Sequence, residues 1–151
     1  MSIVYLGLGS NLGEREKNCL RAIELLNQNG LVVLKQSSLY ETQPWGNTAQ
    51  PLFINMAVEA VTDLEPADLL FLLKRIEKEM GRTETVKWAP RIIDLDILLY
   101  GDIVLNAGSL KIPHPLIEER EFVLRPLSEI AGARIHPVLG KSIADLFSEL
   151  K

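Results

Sequence analysis

The chain has 151 residues, 47% of them apolar and 24% charged, with a net charge of −4. That balance fits a single globular domain over 1–151 that buries roughly two-thirds of its unfolded surface, and it excludes a disordered chain. An acidic chain offers no global attraction to nucleic acid, so an anionic ligand must be held by a local basic cluster.

Ser2 to Leu8 reads as a short apolar strand that runs into Gly7-Leu8-Gly9-Ser10-Asn11-Leu12-Gly13. Helical spacing follows, with Cys19, Ile23 and Leu26 on one stripe and Gly30 as a stop signal. Leu31 to Tyr40 reads as a second strand, and Glu41 to Pro51 is broken by Pro44, Gly46, Asn47 and Pro51. Phe53 to Val61 alternates as a third strand. Pro66 suits the first turn of a helix carried by Leu69, Leu72, Leu73, Ile76 and Met80, with Gly81 at its cap. An irregular stretch from Arg82 to Pro90 precedes an aspartate-bearing strand within Arg91 to Tyr100. Beyond it lie a short apolar piece (Ile103 to Leu105), a Pro-His-Pro turn, a helical stretch and an end segment from Ser142 to Leu150. The order β-α-β-β-α-β is that of an α+β, ferredoxin-like sandwich with an antiparallel sheet and C-terminal additions. Its helices are expected to cover one sheet face and leave the other free for a site.

Cys19 is the single cysteine, which excludes an intrachain disulfide and points to a reducing compartment. Its place on an apolar stripe makes it a packed thiol rather than a nucleophile. The opening Met-Ser-Ile-Val-Tyr lacks the basic start and apolar core of a secretory signal, and the apolar runs are too short to span a bilayer. A cytoplasmic protein without membrane contact is therefore expected.

The chemistry concentrates in Arg91-Ile92-Ile93-Asp94-Leu95-Asp96-Ile97-Leu98-Leu99-Tyr100. Alternation along a strand puts Ile93, Leu95, Ile97 and Leu99 on one face and Asp94 with Asp96 on the other. Two carboxylates in so apolar a strand repel each other and lose hydration unless a positive charge sits between them. One or two divalent cations would answer that, since carboxylates supply hard oxygen ligands. On spacing alone, an equal alternative has one Asp solvated at a sheet edge and the other paired with Arg91. Arg82, Lys87 and Arg91 precede the carboxylates, and Lys111, His114 and Arg120 follow them. This bracketing fits a metal-bridged polyphosphate whose oxygens are held by Arg and Lys, although each cation taken alone is equally a solvated surface charge.

No Walker A motif is present, and the Gly7–Gly13 turn is one residue too long for the dinucleotide fingerprint. Trp45, Phe53, Trp88 and Phe122 offer faces for stacking on a flat ring, and Asn55 offers both a donor and an acceptor. Phe53 and Asn55 share one strand face, so one can stack while the other reads ring edges. Core packing is the plain alternative for Phe53 and Phe122.

Four segments taken together closely resemble the 6-hydroxymethyl-7,8-dihydropterin pyrophosphokinase family of folate biosynthesis. They are Leu8-Gly9-Ser10-Asn11-Leu12-Gly13, the Lys87-Trp88-Ala89-Pro90-Arg91 block with Asp94-Leu95-Asp96, Ile112-Pro113-His114-Pro115, and Arg120-Glu121-Phe122-Val123-Leu124. The resemblance covers nearly the whole chain and implies transfer of a pyrophosphoryl group from ATP to the pterin hydroxymethyl oxygen, leaving AMP. It implies that Asp94 and Asp96 hold two Mg²⁺ ions and that Arg82 and Arg91 act on the transferring group. It places Lys74, Glu77, Lys87, Ile97, Lys111, His114 and Arg120 on ATP. Gly9, Thr42, Trp45, Phe53, Asn55, Trp88 and Phe122 fall to the pterin. Partners are small molecules, with a monomer or weak homodimer expected. The chain departs from the family at Glu84, where relatives often carry a second Arg, and at Ala89, where Gly is usual. A metal-dependent phosphohydrolase would use the same carboxylates, and a non-catalytic ferredoxin-like ligand-binding module would share the fold. Neither explains aromatic residues beside the charged ones.

Overall fold

The apolar run at the start of the chain forms β1 (Ser2–Ser10), a central strand buried on both faces. Its Val4, Leu6 and Leu8 enter one core, while Tyr5 enters a second core on the opposite face. A strand covered on both sides needs apolar residues at successive positions, hence the nearly continuous run in the sequence. The computed structural model describes residues 1–43, 51–81 and 91–150.

Helix α1 (Arg15–Gln28) buries Cys19, Ala22, Ile23, Leu25 and Leu26, and the chain leaves it through Gly30 at φ +96°. Strands β2 (Val32–Gln36), β3 (Tyr40–Thr42) and β4 (Phe53–Thr62) follow. Helix α2 (Pro66–Glu79) starts on the expected Pro66, buries Leu69, Leu72, Leu73, Ile76 and Glu77, and gives way to Gly81 at φ +96°. That left-handed conformation is one a β-carbon opposes, so Gly is the residue that closes the helix. Strand β5 (Asp94–Tyr100) completes a sheet of order β2-β4-β1-β5, antiparallel at each junction, with β3 also paired to β4. This is the ferredoxin-like arrangement expected from the element order.

Several expectations need correction. The second strand does not run unbroken to Tyr40. Ser37 donates its N–H to the Ala57 carbonyl, and its hydroxyl accepts from Ala57 N–H, both at 2.9 Å. A side chain thus takes a ladder position, and the edge divides into β2 and β3. Leu99 does not share a face with Leu95 and Ile97, because the pairing with β1 slips between Tyr5 and Leu6. Leu98 is the extra residue of that bulge, so Leu98 and Leu99 join the second core while Tyr100 returns to the first. Nor is the second sheet face left wholly free. Helix α3 (Glu121–Ala131) and helix α4 (Ile143–Ser148) bring Leu124, Leu127, Ile143 and Leu146 over Tyr5, Ala57, Leu98 and Leu99.

The short apolar piece begins later than expected. A two-stranded hairpin, β6 (Leu105–Ala107) with β7 (Leu110–Ile112), leads into a cis Ile112–Pro113 bond and a 3-10 turn at Ile117–Glu119, while Ile103 and Val104 stay exposed. The end segment is helical as α4, with the Ser142 hydroxyl accepting from Asp145 N–H at 3.1 Å.

Candidate active site

The uncovered end of the second face carries the predicted residues. Gly9 of β1 pairs with Asp94 of β5 on one side and with Asn55 of β4 on the other. The next row on the same face pairs Gly7 with Asp96 and Ala57. Two carboxylates therefore project from β5 in consecutive rows, and the amide of Asn55 stands two strands away. Gly9 gives its neighbours on β4 room to lean over β1: a β-carbon there would lie 2.7 Å from Asn55 Oδ1 and 3.4 Å from Phe53 Cδ1.

On the carboxylate side, Asp96 is half-buried and its carboxyl is pushed up to about 7, first by loss of hydration and then by the charges of Asp94 and Glu77. Arg120 and Lys74 oppose that rise. Arg91 reaches Asp94 Oδ1 with Nη1 at 3.4 Å. Glu77 rises from α2 beneath the strand and accepts the Leu95 N–H at 2.8 Å, with Lys74 Nζ 3.7 Å from its other oxygen. It thus supports the free edge of β5 between the two aspartates. Ile97 turns its side chain into the first core, so contact with a ligand falls to its main chain, which alternation places on the same free edge as that of Leu95.

Hard oxygens on adjacent rows, one of them strained toward its protonated form, are a fitting donor set for Mg²⁺. Among the described residues no group of three or more His, Cys, Asp or Glu side chains is gathered for a metal. Mg²⁺ tolerates that, because it ordinarily keeps waters and takes one or two carboxylates plus substrate phosphate oxygens.

His114 follows the cis proline, and its backbone N–H donates to the Leu98 carbonyl at 3.1 Å, which fixes it beside β5. Burial lowers its imidazole to about 4, and the nearby Arg120 pushes the same way. The ring is therefore neutral at physiological pH. Its Nδ1 lies 3.4 Å from Leu116 N as an acceptor, which leaves Nε2 to carry the proton and donate. Arg120 also spreads over the Phe122 ring, 5.6 Å from its centre. Lys111 sits on the exposed side of β7 between buried Leu110 and Ile112.

On the amide side, Asn55 is buried and donates from Nδ2 to the Thr42 hydroxyl at 2.5 Å. Phe53 lies opposite Thr42, on the same face as Asn55. The fold thus gathers Gly9, Thr42, Phe53, Asn55, Arg91, Asp94 and Asp96 at one end of the sheet, flanked by Glu77, His114, Arg120 and Phe122. Trp45, Arg82, Lys87 and Trp88, with Glu84 and Ala89, lie outside the described residues.

Asn11 lies in one of the segments that carry the resemblance, but the sequence assigned it no role of its own. Only 1% exposed, it accepts Arg91 N–H at its side-chain oxygen (2.7 Å) and donates its own N–H to the Arg91 carbonyl (3.0 Å). Its Nδ2 reaches the Pro51 carbonyl at 3.3 Å. One side chain thus joins the end of β1 to the chain entering β4 and β5. The available signal was an amide directly after an apolar strand, where a buried polar group must find backbone partners.

A family model described as 7,8-dihydro-6-hydroxymethylpterin-pyrophosphokinase matches residues 5–132. The chain is 46% identical over 149 residues to the 2-amino-4-hydroxy-6-hydroxymethyldihydropteridine pyrophosphokinase of Aquifex aeolicus, covering 99% of this chain and 92% of that one. The Bacillus subtilis protein of the same name is 50% identical over 130 residues, with 85% and 78% covered. A folic acid synthesis protein of Pneumocystis carinii is 50% identical over 147 residues; 97% of this chain matches, but it spans only 20% of that protein. A wild-type Plasmodium falciparum HPPK-DHPS crystal structure shares the fold at TM-score 0.74 and 18% identity, over 99% of this chain and 43% of that one.

Proposed function

The chain belongs to the 7,8-dihydro-6-hydroxymethylpterin-pyrophosphokinase family, and on that footing we propose that its site moves a pyrophosphoryl group from ATP to the hydroxymethyl oxygen of 6-hydroxymethyl-7,8-dihydropterin. The substrate hydroxyl attacks the β-phosphorus as the bond to the α-phosphate oxygen breaks, so AMP departs and the hydroxyl proton is lost. The observation that carries this reading is the row Asp94–Gly9–Asn55, which sets phosphate-end chemistry and ring-edge chemistry on one surface.

Asn55 and Thr42 read the pterin edge through their linked amide and hydroxyl, while Phe53 and Phe122 pack on its faces; Trp45 and Trp88 extend the same role. Gly9, without a β-carbon, lets the Asn55 amide and the Phe53 ring take their places over β1. Arg91, Arg120, Lys74 and Lys111 neutralise phosphate charge, together with Lys87, and His114 donates from Nε2 to the nucleotide. Glu77 serves by holding the Asp94–Asp96 strand edge, and Ile97 by its main chain. Arg82 and Arg91 oppose the charge that builds on the transferring group, where such stabilisation counts most. Asp94 and Asp96 would hold Mg²⁺, two ions in this reading, which when bound supplies the Lewis acidity for the phosphate oxygens. A group-transfer site of this kind works by positioning and charge, and needs no covalent intermediate.

In this proposal the 151 residues form one catalytic domain that acts on small molecules in the cytoplasm, as a monomer or weak homodimer. Among the described residues no helix is long and apolar enough to cross a membrane.

The test combines protein, Mg²⁺, ATP and 6-hydroxymethyl-7,8-dihydropterin and identifies the nucleotide product. AMP formed only when the pterin is present is expected. ADP as the only product, or AMP formed without pterin, overturns the reading.

A further inference from the structure

Strand β3 has only three residues, and its last, Thr42, accepts from Asn55. So short a strand needs outside support, and the chain provides it on both flanks. On one flank, Arg15 of α1 donates to the Leu52 carbonyl at 2.7 Å and to Glu41 Oε2 at 3.1 Å, joining β3 to the start of β4. On the other flank stands Glu129 of α3, from the C-terminal part of the chain.

One carboxylate collects three donors there. Ser38 N–H lies 3.0 and 3.1 Å from the two oxygens of Glu129, the Ser38 hydroxyl 3.1 Å from Oε2, and the Tyr40 hydroxyl 2.6 Å from Oε1. Charge-assisted bonds are short and directional. They hold Glu129 below its usual carboxyl range, Tyr40 contributing most, and raise Tyr40. Arg125, one turn earlier on α3, lies over the Tyr40 ring at 5.6 Å. Tyr40 in turn is the cross-strand partner of Asn55. The connection runs without a gap from Glu129 to Tyr40, along β3 to Thr42, and across to the Asn55 amide.

We infer that Glu129 is a positioning residue for the pterin pocket: by gripping Ser38 and Tyr40 it sets β3 so that the Thr42 hydroxyl meets the Asn55 amide. The inference rests on the reading of Thr42 and Asn55 as pterin contacts. Its consequence is selective. Loosening β3 disturbs the ring-edge readers but leaves β5, with Asp94 and Asp96, untouched, because that strand lies on the far side of β1.

The test is Glu129→Ala and Glu129→Gln in the full chain, with pterin and ATP kinetics, a direct titration of 6-hydroxymethylpterin, and thermal unfolding. Glu129→Ala is expected to raise the pterin KM and dissociation constant on the order of five-fold, the scale of one or two lost hydrogen bonds. The ATP KM and kcat should stay within about two-fold. Glu129→Gln retains acceptor oxygen for Tyr40 and should restore most of the affinity. In a Thr42→Ala background the Glu129→Ala effect should shrink, since the two act through one contact. Unchanged pterin binding in Glu129→Ala overturns the inference, as does equal weakening of pterin and ATP with a lowered Tm. A wild-type chain that binds no pterin overturns the pocket reading and this inference with it. A wild type that binds, beside a Glu129→Ala that binds equally, overturns the inference alone.

Discussion

Asp94 and Asn55 stand in one cross-strand row, on either side of Gly9. Two strand spacings separate their backbones by about 10 Å. The carboxylate proposed to hold metal and the amide proposed to read the ring are thus held apart by sheet geometry rather than by loop conformation. Under the proposed function that distance would suit a flat ring with its reacting substituent pointing toward the phosphates.

The middle of that row gives the first prediction. In Gly9→Ala the new methyl lies 2.7 Å from Asn55 Oδ1, too close unless the amide moves. Pterin affinity should fall about ten-fold, the scale of one displaced polar contact, while ATP affinity holds. Separate titrations of the two ligands check this, and a Gly9→Ala variant with wild-type pterin affinity would place the ring elsewhere.

Asp96 gives the pH prediction. Its carboxyl is pushed up to about 7 from 3.8, through burial first and then Asp94 and Glu77, against Arg120 and Lys74. An acid that holds its proton more tightly when folded makes the native state bind more protons than the unfolded one across that window. Stability therefore falls as pH rises from about 4 to about 7. Asp96→Asn should flatten that slope and stabilise the ligand-free protein at pH 8 by on the order of 1 kcal/mol, allowing for hydration of a half-buried group. The same variant should lose turnover, as should Asp94→Ala. Urea unfolding across pH, with and without Mg²⁺, measures the first part. A variant less stable than wild type at pH 8 contradicts it.

Glu77 separates support from ligand contact. Its carboxylate accepts the Leu95 N–H at 2.8 Å, and it is 3% exposed. Glu77→Ala strands a buried amide and should cost about 1–3 kcal/mol of stability. It should also ease Asp96 downward by removing one of the acidic neighbours. Loss of ATP affinity without loss of stability would make Glu77 a nucleotide contact instead.

The order of elements, the pair of aspartates and the helix-ending Gly81 were legible because each is local: periodicity, spacing and a left-handed backbone all act over a few residues. The bulge at Leu98 was not legible. Ile97-Leu98-Leu99-Tyr100 is apolar throughout, so a strand buried on both faces carries no alternation from which a slip could be read. The division of the second strand was hidden for another reason, since it depends on Ser37 meeting Ala57 and Ser38 meeting Glu129, partners 20 and 91 residues away. Asn11 shows the same limit, because its bond to Arg91 N–H spans 80 residues. The four predicted residues Trp45, Arg82, Lys87 and Trp88 lie outside the described residues, and their roles rest on sequence resemblance.

The last prediction concerns stability away from the site. Tyr5, 3% exposed, donates its hydroxyl to Glu59 Oε1 at 2.5 Å and accepts from Arg134 Nη2 at 3.3 Å. Arg134 also lies over the Tyr5 ring, 5.3 Å from its centre. Burial and the Glu59 carboxylate raise the Tyr5 phenol, so it stays a donor at physiological pH. Tyr5→Phe keeps the ring and its packing but removes the donor from a buried carboxylate, and should cost about 1–3 kcal/mol. Adding Glu59→Leu takes away the charge left behind and should recover part of that loss, because removing both partners is cheaper than removing one. Turnover should be unchanged in both variants, since Tyr5 lies two rows down β1 from Gly9, beneath α3 and α4. Denaturant unfolding of the single and double variants reads the effect. If Tyr5→Phe falls within about 0.5 kcal/mol of wild type, hydration of Glu59 rather than Tyr5 is what keeps that carboxylate in place.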